Sequence, residues 1–151
     1  MKKSILLLVL LVATVVNATP RFGVIGVQNE GVGVFLTDDM YNAQLTFTNK
    51  SDDATPKTEK TTITIGGNYK VAVDSVTALT FGASYTIFSG KESGVDVKDN
   101  NSLALNAGIE RALSSNVVLT ATVDAFREIK VSGFKTTQLL SNGRLGVAYL
   151  F

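Results

Sequence analysis

The sequence predicts an all-β fold: eight antiparallel strands joined up and down into a closed transmembrane β-barrel, behind an N-terminal signal peptide. Three observations point there. A short apolar run follows two lysines at the start. The rest of the chain alternates apolar and polar side chains with a period of two. The links between the alternating runs are short and long by turns. Successive side chains of a strand face opposite ways, so alternation gives a sheet two chemically distinct faces. No stretch shows the helical period of about 3.6 residues.

Lys2 and Lys3 precede the apolar segment Ile5 to Val16, and Val16-Asn17-Ala18 offers small residues for cleavage. This is the layout of a secretory signal. A membrane-spanning helix needs about 20 apolar residues, more than this run supplies. Cleavage after Ala18 makes residues 1–18 the signal and 19–151 the barrel domain. Two short, glycine-rich strands follow, Arg21 to Gln28 and Gly31 to Thr37; which face of the first points inward stays open. Tyr41 to Asn49 sets Tyr41, Ala43, Leu45 and Phe47 on one face. Thr62 to Val73 sets Ile63, Ile65, Tyr69 and Val71 against Thr64, Asn68 and Lys70. Thr77 to Ser89 sets Leu79, Phe81, Tyr85 and Ile87 against Thr80, Ser84 and Thr86. Ser102 to Leu113 sets Leu103, Leu105 and Ile109 against Asn106 and Glu110. Val117 to Val131 sets Leu119, Ala121 and Val123 against Thr122, Asp124 and Glu128, and Leu139 to Phe151 sets Leu145, Val147 and Tyr149 against Asn142 and Arg144.

Tight turns are expected at 37–40, 74–76 and 114–116, and longer polar loops at 50–60, 90–101 and 132–137. Such asymmetry belongs to barrels with short turns on one side of a membrane and longer loops on the other. Pairing Leu113 with Val117 across the third turn puts Asn106 opposite Asp124 and Glu110 opposite Thr120. The same arithmetic across 74–76 puts Tyr69 opposite Phe81 and Ile65 opposite Tyr85. Polar meets polar and apolar meets apolar, as antiparallel register requires.

Alternation alone does not say which face is outside. The apolar face carries almost no charge, as a lipid-facing surface must, since Lys or Arg at the bilayer midplane costs about 2–4 kcal/mol. Its exceptions, Arg111 and Arg127, are expected near the two rims. The other face carries Lys70, Glu110, Asp124, Glu128, Lys130 and Arg144. Three cations and three carboxylates can neutralise one another in a narrow lumen, whereas they would make a poor apolar core. Tyr41, Tyr69, Phe81, Tyr149 and Phe151 recur near strand ends, where interface aromatics sit in membrane barrels.

The ending Gly143-Arg144-Leu145-Gly146-Val147-Ala148-Tyr149-Leu150-Phe151 resembles the C-terminal signature of bacterial outer-membrane β-barrels. Together with the signal and strand count, it makes residues 21–151 similar to the small eight-stranded OmpA/OmpX-like family. The resemblance implies outer-membrane location, contact with lipid and lipopolysaccharide, a monomer, and an assembly signal of Leu145, Val147, Tyr149 and Phe151 read by the barrel assembly machinery. The short first hairpin departs from that family's pattern.

Chemistry is sparse. There is no histidine and no cysteine, which removes the commonest general base, thiol nucleophiles, disulfides and thiolate metal sites. Lipid-modifying barrel enzymes use a histidine base, so no catalytic residue is expected. Asp124 and Glu128 share a face but stand about 13 Å apart at strand rise, too far for paired carboxylate catalysis. No cofactor or metal site is expected: Asp52, Asp53, Glu92, Asp96 and Asp99 lack EF-hand spacing. A formal net charge of +1 gives no basic excess for nucleic acid. Lys50, Lys57, Lys60, Lys91, Lys98 and Lys135 are available to outer-leaflet phosphates. Inside, counting from the turn ends predicts two layers of charge pairs, Arg144–Asp124 and Lys70–Glu110, plugging a lumen that eight strands leave just wide enough for side chains. Three functions remain open on this reading: a closed structural or surface-interaction barrel, a small porin-like channel for ions or solutes, and a soluble periplasmic β-barrel holding an apolar ligand.

Overall fold

Alternation is obeyed along almost every strand. The computed structural model describes residues 20–52, 58–92, 95–131 and 133–151. The expected export signal (1–18), Lys57 and the side chains of Asp52, Asp53, Glu92, Asp96, Lys98 and Asp99 lie outside the described residues. The strands are β1 (Arg21–Val27), β2 (Gly31–Thr37), β3 (Tyr41–Asp52), β4 (Thr58–Ala72), β5 (Thr77–Glu92), β6 (Val95–Ala112), β7 (Val117–Val131) and β8 (Phe134–Leu150). Each pairs antiparallel with the next, and β8 pairs with β1 to close the ring. Closure satisfies backbone groups that hydrocarbon could not.

The short turns are built by side chains that bond back to the backbone. Asp38 Oδ1 accepts from the amides of Met40 (2.6 Å) and Tyr41 (2.7 Å), Asp74 Oδ1 from Val76 (2.8 Å), and Ser114 Oγ from Val117 (3.1 Å). Asp and Ser favour turns for this reason. The register follows the parity arithmetic: Asn106 faces Asp124, Glu110 faces Thr120, Tyr69 faces Phe81 and Ile65 faces Tyr85.

At the opposite end the strands run further than hydropathy indicated. Lys50 pairs with Lys60, Ser51 with Glu59, and the β5–β6 ladder reaches Glu92–Val95, so much of the expected loops at 50–60 and 90–101 is strand. Likewise β8 begins at Phe134 instead of Leu139. Alternation ends where lipid ends; a ladder in water needs no apolar face.

The faces are sorted with the apolar side outward. Ile63 is 40% and Leu79 42% exposed, whereas Thr64 is 1% and Asp124 1%. A soluble barrel with an apolar interior is at odds with this arrangement, because the bore is lined by Thr46, Thr64, Thr80, Ser84, Thr86, Ser102 and Asn106. One inner sector does differ. β1 turns Ile25 and Val27 inward, where they cluster with Phe35, Val118, Ala148 and Leu150, while Phe22 and Val24 face out. The first two strands are apolar on both faces, which is why their facing could not be read from the sequence. Gly31 has φ +86, a backbone conformation that suits glycine, and a Cβ there would collide with the carbonyl of Phe47.

Parity breaks once in β7. Asp124 pairs with Asn106, but Phe126 pairs with Leu105, leaving Ala125 as an extra residue. β8 is irregular at the same height, between Thr122–Arg144 and Asp124–Ser141, where Asn142 (φ 55) takes the left-handed conformation, as does Leu140 (φ 47) just beyond Ser141. A bulge shifts every later side chain to the other face. Arg127 therefore points into the bore and not to the outer rim. Glu128 and Lys130, expected in the lumen, lie on the outer face, and Glu128 pairs there with Lys135 at 2.9 Å.

Candidate functional site: an ionic plug in the bore

Near the turn end, β4 and β6 bring Lys70 and Glu110 together. Lys70 Nζ lies 2.5 Å from Glu110 Oε1 and donates also to the Asp38 carbonyl (2.6 Å) and Thr37 Oγ1 (3.0 Å). Asn42 Nδ2 donates to Glu110 Oε2 at 2.6 Å, and Asn68 Nδ2 to Asn42 Oδ1 at 2.7 Å. Both ions thus have bonds beyond each other, which a buried pair needs to offset desolvation.

Higher in the bore, Arg144 on β8 spans two carboxylates. Its Nη2 donates to Asp124 Oδ1 on β7, and its Nη1 to Glu30 Oε1 at 2.7 Å. Glu30 sits in the β1–β2 turn; those strands are 7 residues each, so the turn lies at mid-height and its carboxylate folds into the lumen. Arg127 approaches Asp124 at 3.8 Å and donates to Ser102 Oγ at 3.3 Å; Asn142 Nδ2 is 3.4 Å from Asp124 Oδ2. This layer holds two guanidinium groups and two carboxylates, and the lower layer one charge of each sign. Each layer is formally neutral. Among the predicted lumen residues, Lys70, Glu110, Asp124 and Arg144 are brought together in pairs and Glu128 and Lys130 are not. Glu30 and Arg127 are additions that strand parity could not find, one because it is a turn residue and the other because of the bulge.

The bore is wide at both ends and pinched in the middle. A vestibule of about 1110 Å³ opens at the turn end, beside Lys70 and Glu110. A cavity of about 340 Å³ opens at the other end. Between them, bordered by Asn42, Asn68, Thr80, Asn106 and Arg144, the void is about 20 Å³. That is room for about one water, and Asn68 Oδ1 and Thr80 Oγ1 are buried there without a protein partner. Among the described residues no cluster of acids has the makings of a metal site.

The expected assembly residues Leu145, Val147, Tyr149 and Phe151 line the outer face of the last strand, and the Tyr149 and Phe151 rings meet edge to face at 5.9 Å. Tyr41 and Tyr69 do the same at 5.5 Å. Both pairs lie near the turn end, where an aromatic girdle belongs.

No protein-family model and no curated protein matches the chain. Solved structures do. Neisserial surface protein A matches over 87% of this chain and 96% of its own, with 17% identity and a TM-score of 0.52. Ail of Yersinia pestis matches over 87% and 96%, with 16% identity and a TM-score of 0.47, and CarO of Acinetobacter baumannii over 87% and 97%, with 11% identity and a TM-score of 0.39. Strand count, closure, facing and the first of these likenesses agree: the chain has the fold of the small eight-stranded transmembrane barrels.

Proposed function

We propose that this protein is an integral outer-membrane barrel with a charge-plugged lumen, acting structurally or through its surface and not as an enzyme. The observation that carries this reading is Arg144, held between Glu30 and Asp124 across a waist that leaves room for about one water. So small a void at that height favours a closed bore over a conducting one. The outer apolar belt supports insertion, the apolar outer face of the last strand supports reading by the assembly machinery, and exposed Lys50, Lys91 and Lys135 support contact with lipopolysaccharide phosphates. The chain lacks histidine and cysteine, and the buried carboxylates are committed to cations, which supports a non-catalytic role.

Planar-bilayer recording tests the reading. The wild-type protein is expected to show no steady conductance at neutral pH, and Arg144→Ala to show small, flickering steps. Steady open steps from the wild type would favour the porin-like channel, whose two wide mouths are already present.

A further inference from the structure

We infer that the upper bore is a side-opening trough that takes the acyl chain of a single-chain anionic amphiphile from the outer leaflet. β1 and β2 have 7 residues each, whereas β3 has 12 and β8 has 17. At about 3.3 Å per residue and a tilt near 40°, the first hairpin climbs roughly 15 Å, against an apolar band about 25 Å tall. The last β1–β8 pair is Val27–Gly146, followed by a bond from the Gln28 amide to the Leu145 carbonyl (2.8 Å), and the last β2–β3 pair is Val32–Phe47. Above those points, among the described residues, no strand joins β3 to β8. The wall therefore has a gap at the height of the outer leaflet. Its β8 margin exposes Phe134, Leu139 and Leu140 (80%, 73% and 79%) with Lys135, Thr136, Thr137 and Gln138 between them. So mixed an edge can meet both the chain and the head of an amphiphile.

Across the bore from the gap lies the cavity of about 340 Å³, within the size range of ligand sites. Its wall comes from β4 to β7. Phe88, Ile129 and Val131 supply an apolar floor, and among the described residues the lining carries Lys60, Lys91 and Arg127 beside Glu59. Lys60 Nζ stands 5.0 Å over the Phe88 ring. Arg127 is incompletely engaged: its bonds are long, and its Nε is buried without a partner. An apolar chain with an anionic head matches floor and mouth together. This inference requires the barrel and its facing but not the plug, so it stands or falls apart from conductance.

The test uses the membrane-inserted protein in phosphatidylcholine nanodiscs with labelled methyls, and 16-doxyl-stearate as the probe. Lipid-facing Leu103 and Leu105 methyls should broaden in proportion to probe, whereas Ile129 and Val131 methyls should broaden saturably and recover on adding unlabelled stearate. Lys60→Gln, and separately Arg127→Gln, should raise the half-saturating concentration about tenfold, and the methyl ester of the probe should show the same loss. Lys60 is at the exposed mouth, so its variant carries the test if Arg127→Gln does not fold. Broadening of Ile129 and Val131 no greater than that of the Thr64 methyl, or equal effects of acid and ester, overturns the inference.

Discussion

Arg144 is a guanidinium almost without water contact, and its two carboxylate partners come from distant parts of the chain, Glu30 in the first turn and Asp124 on β7. Removing one member of such a group strands the others in a medium that solvates them poorly. Arg144→Ala should lower the unfolding temperature in detergent, corresponding to a loss of about 3–5 kcal/mol, and Asp124→Asn in that background should cost much less than alone. Strictly additive effects in a double-mutant cycle would show that the pair is not coupled. Inner apolar contacts can be ranked the same way: Phe35 is 2% exposed within the β1–β2–β8 cluster, while Phe81 is 50% exposed toward lipid. Phe35→Ala is expected to cost about 3–5 kcal/mol and Phe81→Ala clearly less; equal losses by chemical unfolding would contradict the assigned faces. At the turn end, the Val76 amide holds the Asp74 carboxyl below its usual 3.8, with help from Thr77 and Arg111. A carboxyl shifted down contributes stability above its unfolded value, and that contribution fades as pH falls through the lower folded value. An NMR titration should place the Asp74 midpoint below 3.8. Single residues were legible to the extent that parity governs them. Lys70, Glu110, Asp124 and Arg144 lie on unbroken stretches of their strands, whereas nothing local marks Glu30 as an inward-turning acid.

Among the elements, β7 shows what strand patterning does and does not reveal. Its lower half obeys alternation, and its pairing with β6 could be counted from the turn. Ala125 then interrupts the count and carries Arg127 inward, beside Asp124 and Ser102. A bulge has no mandatory residue type at an alanine, so the upper half was unreadable. Deleting Ala125 should remove the extra residue and leave a regular ladder, with Phe126 and Glu128 still outside and Arg127 still in the bore. The unfolding temperature and refolding yield should therefore stay near those of the wild type. A large fall in either would remove the bulge from this account. β1 and β2 were ambiguous for another reason: a strand with apolar residues on both sides carries no sign of direction, and here both sides meet apolar surroundings.

Across the whole molecule, eight strands, closure and the outward apolar belt were legible because hydrophobic alternation and turn residues act over the full chain length. The upper extent of the strands was not, because ladders in water place no demand on hydropathy. A barrel of this kind should migrate differently on a denaturing gel when boiled and unboiled, as closure resists detergent until heat breaks the ladder. The most direct measurement is of lipid contact itself. In nanodiscs, the methyl groups of Ile63, Leu79, Leu105 and Val147 should show cross-relaxation to lipid chain protons, and those of Thr46, Thr64 and Thr80 none. Lipid contacts from the threonines, with the aliphatic methyls contacting one another instead, would contradict the facing on which the ionic bore and the apolar belt both depend.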